Sequence, residues 1–484
     1  MSHAAPVIPE ALTFDDVLLV PKRSPVSSRS EVDVRTRLSR HIDLAIPIIS
    51  ANMDTVTEAE MAIAMARLGG LGVLHRFMAV EDQVEEALKV KRCENLVIDA
   101  PYSMTPDRTV GEAEALMHEK GVTGIIVVDG EGRLAGILTS RDTLFADSPG
   151  RPIAELMTPR ERVVTASPGL DVDAAKDLFR THKVEKFPIV DDQDRLVGLV
   201  TIKDIIKRMR YPNATKDDRG RLRVGAAVGI NGDYLERAVA LVSADVDALV
   251  VDVAHGHSDQ AILAIRKLRK RFPKIELIAG NVATAEAVEE LVGLEIDAIK
   301  VGVGPGSICI TRIVTGAGVP QLSAVLACAR AAARAAVPII ADGGIRASGD
   351  LTKALAAGAS SAMIGNLLAG THESPGITIS RNGRKQKLCR GSASVMAQLG
   401  RAHRAGFRQS EEELSEIVPE GVEAVVPLKG EAADVVKQLV GGLRSGISYC
   451  GARNILEMQR NASFQRMTPA GLRESGFHDV EVFH

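Results

Sequence analysis

The segment KVGVGPGSICITR (residues 300–312) contains the residues best suited to covalent chemistry. A strand-like run ends at Gly302, and a Gly-Pro-Gly loop then presents Ser307, Cys309 and Thr311. Glycine lets the backbone approach a ligand closely, and the thiolate is the reactive form of cysteine. A lone cysteine in an ordinary loop is usually structural. The glycine-rich loop and the hydroxyl two residues later instead predict that Cys309 is a nucleophile.

Short apolar runs that can form strands alternate with amphipathic stretches along most of the chain. The runs are IPIIS (46–50), LGVL (71–74), DALVVDVAHG (247–256), IELIAG (275–280), DAIKVGVG (297–304), VPIIADGG (337–344) and SAMIG (361–365). Buried strands that are each followed by a helix indicate parallel βα units. Their number and spacing favour an α/β fold of the closed (β/α)8 TIM-barrel type, which places catalytic groups after the C-terminal ends of its strands.

An internal repeat interrupts this pattern. GRLAGILTSRD (132–142) and DRLVGLVTIKD (194–204) share one frame, which indicates a structural unit used twice. The pair resembles a tandem of cystathionine-β-synthase-type (CBS) modules inserted into a barrel loop. We therefore predict barrel segments at 1–100 and 212–484 and a regulatory module at 101–211. The resemblance implies that ATP or GTP binds at Thr139, Asp142, Thr201 and Asp204.

Composition argues against several classes of partner. The formal net charge is −3, aromatic residues make up 3% of the chain, and tryptophan is absent, so neither nucleic-acid binding nor membrane binding is indicated. The N-terminal sequence lacks the features of a signal peptide. Five cysteines without metal-type spacing are typical of a reduced compartment. We therefore expect a cytoplasmic protein.

The cysteine loop resembles the active-site loop of the IMP dehydrogenase/GMP reductase family. The resemblance extends from LTFDDVLLVP (12–21) to GLRESGFHDV (471–480). It implies that Cys309 attacks the purine C2 of a bound nucleotide, and that Thr311 and Glu420 relay a proton. It also implies that Asp342 binds both ribose hydroxyls, although an aspartate at a strand end can instead cap a helix.

The same resemblance implies further binding residues. Those for the GMP or IMP substrate are Asn52, Ser307, Asp342, Gly344, Gly365, Asn366, Ser392 and Ala393. Those for the NADPH or NAD cofactor are Asp252, Ala254, Asn281, Gly302 and Gly304. A potassium site is implied at the carbonyls of Gly304, Gly306 and Cys309, with Glu474 and Ser475 from a neighbouring subunit. The expected assembly is a homotetramer, or an octamer formed through the CBS modules.

Two reactions are possible within this family. Only IMP oxidation with NAD⁺ must activate water, and the family does this with an Arg-Tyr pair on a mobile flap, here about 398–420. This chain has Gly406 and Phe407 at those positions, unless the alignment slips and Arg404 or Arg408 substitutes.

Some of the other segments resemble the reductase sequence and others resemble the dehydrogenase sequence. ANMDTV (51–56), TGAGVPQLSAVLACA (315–329) and GSASVMAQ (391–398) resemble the reductase, whereas PEGVE, HGHS, the C-terminal tail and the insert resemble the dehydrogenase. We expect NADPH-dependent reductive deamination of GMP, with IMP oxidation as the alternative. A non-catalytic nucleotide sensor is a third possibility, against which Cys309, Thr311, Asp342 and Glu420 argue.

Overall fold

The computed structural model describes residues 8–93, 97–98, 101–395, 397, 418–477 and 480. Contacts between Cα atoms divide the chain into two compact units. One unit comprises residues 1–93 and 213–484, and the other comprises residues 94–212. The predicted insert of 101–211 falls within the second unit. In the part of the chain that the structure describes, no helix is long and apolar enough to cross a membrane.

The first unit is a closed barrel of eight parallel strands, which confirms the predicted fold class. Each strand pairs with its neighbour in the sequence of barrel strands, and β2 pairs with β3 across the insertion point. The strands are β1 (Ile48–Ser50), β2 (Leu71–Leu74), β3 (Gly225–Val228), β4 (Ala248–Asp252), β5 (Glu276–Val282), β6 (Ala298–Val301), β7 (Ile339–Asp342) and β8 (Ser361–Ile364).

Alternate residues of each strand face the two sides of the barrel wall. In β4, Val250 belongs to the interior cluster, whereas Leu249 and Val251 pack in the layer between strands and helices. Both sides are apolar because helices cover the outside and side chains fill the inside. Leu38 and Ile42, from a short hairpin before β1, join the interior cluster at the N-terminal end of the barrel.

Within the described residues, eight helices surround the barrel. They are α1 (Ala59–Arg67), α2 (Val80–Arg92), α3 (Tyr234–Ser243), α4 (Asp259–Arg271), α5 (Ala285–Val292), α6 (Gln321–Ala333), α7 (Ser348–Ala356) and α8 (Ala432–Tyr449). Helix α8 packs closely on α7 because it has glycine at the contact. A Cβ atom on Gly446 would lie 2.5 Å from the Thr352 methyl group.

The second unit contains two similar strand pairs. Gly124–Val128 pairs with Leu134–Thr139, and Lys186–Val190 pairs with Leu196–Thr201. Each pair follows a helix (Val110–Lys120 or Val172–His182) and precedes another (Ser140–Thr143 or Ile202–Arg210). Both pairs are antiparallel, and the register shifts near the end of the first strand in each. The sequence repeat therefore corresponds to a repeated structural unit.

Shorter elements complete the chain. A three-stranded antiparallel sheet is formed by Thr378–Arg381, Arg384–Arg390 and Glu423–Pro427. Two further small sheets of the first unit pair Val17–Leu19 with Phe464–Arg466 and Thr36–Arg37 with Asp43–Leu44. In the second unit, Ser103–Met104 and Thr158–Pro159 extend the first strand pair. Short helices are Phe14–Asp16, Arg29–Glu31, Ile153–Glu155, Arg160–Arg162, Thr311–Thr315, Asn366–Ala369, Ile455–Asn461 and Pro469–Glu474.

Candidate active site

A cavity of about 340 Å³ opens at the C-terminal ends of the barrel strands. Polar residues from different strands line it, which is the arrangement expected of a barrel enzyme. Among the residues predicted from sequence, Asn52, Asp252, Ala254, Asn281, Gly302, Gly304, Gly306, Cys309, Thr311, Asp342, Ser392, Ala393 and Glu420 line this cavity. Closure of the barrel thus brings together residues that are far apart along the chain.

The loop after β6 requires glycine in order to pass close to β7. Gly302 has φ +152°, and a Cβ atom there would lie 2.0 Å from the Asp342 carbonyl oxygen. The loop then turns so that the Cys309 amide donates to the Gly306 carbonyl at 3.1 Å. A side chain at position 302 would therefore displace the loop that carries Cys309.

Cys309, Thr311 and Glu420 form a connected chain of polar groups. Cys309 Sγ lies 3.2 Å from Thr311 Oγ1, which donates to Glu420 Oε2 at 2.7 Å. The backbone fixes Glu420 in this place, because the Ile310 amide donates to the Glu420 carbonyl at 2.8 Å. A proton can therefore move between the thiol and the carboxylate through one hydroxyl group.

The five cysteines differ in accessibility. Cys309 lines the cavity and Cys93 is half-buried elsewhere in the first unit, whereas the other three are buried. Burial raises the pKa of Cys328 to about 12 and also raises the pKa of Cys389 and of Cys450. Because the thiolate is the nucleophilic form, the three buried cysteines are poorly suited to catalysis.

Asp342 does not cap a helix, which removes the structural alternative for this residue. The N-cap of α7 is Ala347, whereas Asp342 Oδ2 accepts hydrogen bonds from Lys300 Nζ at 2.6 Å and Asn281 Nδ2 at 2.9 Å. Lys300 Nζ also lies 2.8 Å from Asp252 Oδ1. Burial opposes ionisation of Asp252, but Lys300 outweighs it and the net effect is a lowered pKa for Asp252.

A second cavity of about 250 Å³ shares part of its wall with the first. Four residues predicted to contact the substrate lie here: Ser307, Gly344, Gly365 and Asn366. Thr13, Asp15 and Arg346 also line this cavity, and the Arg346 guanidinium forms an ion pair with Asp15. The sequence analysis missed these three residues, although Thr13 and Asp15 lie in the N-terminal segment that carried the resemblance.

Two other missed residues are charged and line the first cavity. They are Lys300, within β6, and Arg76, just after β2. A lysine in an otherwise apolar barrel strand was a usable signal, because a buried charge needs partners. Burial lowers the pKa of Arg76, while the nearby Asp252 carboxylate opposes this effect.

The predicted potassium ligands are only partly brought together in a single chain. Gly304, Gly306 and Cys309 line the first cavity, whereas Glu474 and Ser475 line neither cavity. Ser475 Oγ donates to the Gly471 carbonyl at 2.9 Å. A carbonyl oxygen has two lone pairs, so Gly306 can bind a cation while it accepts from Cys309.

A cluster of histidine and acidic side chains lies away from the two cavities. Within the described ranges, one group could hold a metal ion: His41, Glu276 and Asp297, at the N-terminal end of the barrel. Arg269 NH2 already lies 2.5 Å from Asp297 Oδ2. His257 pairs with Glu290 at 2.8 Å and does not belong to that group.

The predicted regulatory residues pair at two helix starts in the second unit, and Thr139 with Asp142 forms a capping box. Asp142 Oδ2 accepts from the Thr139 amide and hydroxyl, both at 2.7 Å, and Thr201 Oγ1 donates to Asp204 at 2.5 Å. These contacts order the start of the helix that follows each strand pair. Arg404, Gly406, Phe407 and Arg408 lie outside the described residues.

Comparisons with known proteins agree with this geometry. A family model described as "IMP dehydrogenase / GMP reductase domain" matches residues 11–478. Inosine-5′-monophosphate dehydrogenase of Nitrosopumilus maritimus is 54% identical over 97% of this chain and 98% of its own length. GMP reductase of Leishmania major is 49% identical over 98% of each chain.

A solved structure resembles the whole chain. It is a GMP reductase variant from Trypanosoma brucei in complex with guanosine 5′-monophosphate. The match has a TM-score of 0.91 and 48% identity, and it covers 98% of this chain and 99% of the other. The match to the family model and the identity over nearly the full length show that this chain belongs to the IMP dehydrogenase/GMP reductase family, whose members are oxidoreductases.

Proposed function

We propose that this enzyme is a GMP reductase, which converts GMP, NADPH and one proton into IMP, ammonia and NADP⁺. The observation that carries the proposal is the chain Cys309–Thr311–Glu420 on the cavity wall. It supplies a nucleophile together with a route for the proton that the departing amine requires. The solved T. brucei reductase with bound GMP and the Leishmania reductase support the same assignment.

In the first half-reaction, the thiol proton passes through the Thr311 hydroxyl to the Glu420 carboxylate. The Cys309 thiolate then forms a bond to C2 of the purine. Glu420 returns the proton through Thr311 to the exocyclic amine, and the C2–N bond breaks to release ammonia. The thiol hydrogen has thus moved to the leaving group, and proton transfer of this kind contributes roughly 10²–10⁴-fold.

In the second half-reaction, NADPH supplies a hydride to C2 when it is bound. The C2–S bond then breaks to give IMP, and the Cys309 thiolate takes up one proton from solvent. Asp342 is suited to bind the nucleotide ribose, and Asp252 is suited to bind the nicotinamide ribose. The donor set fits a dinucleotide, because Asn281 Oδ1 is a buried acceptor on the cavity wall without a hydrogen-bond partner.

The second cavity is suited to the 5′-phosphate of the nucleotide. Ser307 offers a hydroxyl group, and Gly344, Gly365 and Asn366 offer backbone amides at its wall. Arg346 offers a guanidinium group at the same wall, where it is paired with Asp15. A potassium ion held by the carbonyls of Gly304, Gly306 and Cys309, with Glu474 and Ser475 from a neighbouring subunit, would stabilise the cysteine loop.

The absence of a water-activating pair from the sequence favours reduction over oxidation. A dehydrogenase must hydrolyse the covalent intermediate, and Gly406 and Phe407 offer neither a guanidinium nor a phenol. The alternative function is IMP oxidation with NAD⁺. It is favoured by the 54% identity to the Nitrosopumilus dehydrogenase.

One experiment on the unmodified protein separates the two reactions and the non-catalytic alternative. GMP with NADPH, and separately IMP with NAD⁺, are followed at 340 nm while ammonia and XMP are measured. We expect oxidation of NADPH with one ammonia released per IMP formed, and little or no XMP. Steady XMP production without ammonia release would show a dehydrogenase, and no turnover in either assay would indicate a sensor.

We also propose that the repeated unit at 94–212 is a CBS pair that regulates the barrel. The matched Thr–Asp frames, Thr139 with Asp142 and Thr201 with Asp204, support this assignment. A carboxylate at a helix start is a suitable acceptor for ribose hydroxyls. ATP or GTP is the expected ligand, and a tetramer or octamer is the expected assembly.

A further inference from the structure

Lys300 is a charged side chain inside the barrel that no step of the proposed reaction uses. It lies on β6 and is only 2% exposed. Its Nζ atom lies 2.8 Å from Asp252 Oδ1 and 2.6 Å from Asp342 Oδ2. These carboxylates end two different strands, β4 and β7, so one ammonium group joins two separate parts of the cavity wall.

The charges around Lys300 explain why it stays protonated. Burial disfavours the ammonium form, but the two carboxylates together raise the pKa of Lys300 well above its usual value. Arg76, from the loop after β2, is the other cation near Asp252, and Cys309 and Glu420 line the same cavity. Without Lys300, Asp252 would lose the ammonium group that lies 2.8 Å from its carboxylate, and this carboxylate would be harder to ionise.

Lys300 also determines how each carboxylate is presented. On Asp342, Lys300 and Asn281 both donate to Oδ2, and no donor from the described residues reaches Oδ1. On Asp252, Lys300 acts together with Asn52. Asp342 is therefore held through one oxygen and keeps the other for a ligand hydroxyl.

We propose that Lys300 is a positioning residue that orients Asp252 and Asp342 together, so that a single side chain sets the affinity for both the nucleotide and the dinucleotide. The inference rests on the proposed function, which assigns Asp342 to the substrate ribose and Asp252 to the cofactor ribose. A diol binds best to an ionised carboxylate whose orientation is fixed before binding.

The test compares Lys300→Met with the charge-conserving Lys300→Arg. Calorimetry measures GMP binding without dinucleotide, and steady-state kinetics give the KM for NADPH. Loss of a charge-assisted hydrogen bond to each carboxylate predicts that Lys300→Met weakens both by about 10- to 100-fold. Lys300→Arg should restore both to within about tenfold of the wild type, which a loss of packing volume alone would not explain.

Matched single variants sharpen this result. Asp342→Asn should weaken mainly GMP binding, and Asp252→Asn should raise mainly the KM for NADPH. Lys300→Met combined with Asp342→Asn should weaken GMP binding less than the product of the two single effects, because the pair acts as a unit. If Lys300→Met does not fold, the comparison is made between Lys300→Arg and the Lys300→Met/Asp252→Asn pair, which keeps the charges balanced.

Two outcomes would overturn the inference: weakened binding of only one ligand, or unchanged binding of both. Failure of the proposed function is distinguishable, because calorimetry with GMP, and separately with NADPH, detects binding without turnover. If the wild type produces XMP from IMP, the same variants are measured with IMP and NAD⁺. Weaker binding of both IMP and NAD⁺ to Lys300→Met would then still support the role of Lys300.

Discussion

Replacing Thr311 with valine tests the proton relay most directly. Valine keeps the branched shape of threonine but removes the hydroxyl that contacts Cys309 Sγ at 3.2 Å and Glu420 at 2.7 Å. The first contact is an ordinary hydrogen bond, worth about 0.5–1.5 kcal/mol, and the second is charge-assisted, worth about 1.5–3 kcal/mol. Loss of both from the transition state costs about 2–4.5 kcal/mol.

The loss of transition-state stabilisation in Thr311→Val predicts the size of the decrease in kcat. At about 1.4 kcal/mol for each factor of ten, kcat should fall roughly 30- to 2000-fold. The KM for GMP should change little, because the hydroxyl contacts Cys309 and Glu420 of the protein and not a substrate group. The assay is ammonia release from saturating GMP and NADPH, with kcat and KM determined separately.

Thr315→Val is the matched control. Thr315 lies on the same short helix, is exposed and lines neither cavity, and its hydroxyl donates to the Thr311 carbonyl at 2.7 Å. We expect less than a threefold change in kcat for this variant. Glu420→Gln should resemble Thr311→Val, and the double variant should be little worse than either, since the residues act as a unit. A Thr311→Val enzyme that keeps a third of its kcat, or loses activity only through KM, would refute the relay.

Three further results are expected. Cys309→Ser should abolish turnover while GMP still binds in calorimetry, because a hydroxyl is a far weaker nucleophile at neutral pH, and normal turnover would exclude Cys309 as the nucleophile. Iodoacetamide should modify Cys309, and bound GMP should protect Cys309 from this modification. Cys93 lies outside the cavity, so GMP should not change any labelling of Cys93. Equal protection of both cysteines would indicate a general change in structure. ATP or GTP should change wild-type activity by roughly 5- to 150-fold, and Asp142→Ala with Asp204→Ala should remove this response; a wild type indifferent to both nucleotides would contradict the regulatory assignment.

The barrel could be predicted because its signal is local. Six of its eight strands lie within apolar runs that the sequence analysis identified, and β5 extends two residues beyond its run. These runs were recognisable because buried strands need apolar side chains on both faces. The run that was not identified is GAAV of β3, Gly225–Val228. Glycine and alanine have low strand propensity, so closure of the barrel gives this segment its conformation. The repeat was also visible, because its two copies share one frame.

Within the site, the sequence indicated what chemistry individual residues could perform, but it did not show which side chains contact each other. The glycine-rich loop identified Cys309 as a nucleophile, yet nothing local distinguished the two interpretations of Asp342. Its contacts with Lys300 and Asn281 rule out a role as the cap of α7. The contact of Asp15 with Arg346, 331 residues away, could not be predicted from the sequence either.

The sequence by itself indicated the family and the barrel, and it predicted which cysteine is the nucleophile. These features depend on residue types that are close together in the sequence, so they can be recognised without the structure. The tertiary structure alone decided that Glu420 meets Thr311 across 109 residues and that Lys300 is shared by Asp252 and Asp342. Such contacts arise only when the strands close into a barrel, because closure brings the C-terminal ends of the strands together at one rim. Closure also buries the Lys300 ammonium group, which is stable there only beside carboxylates.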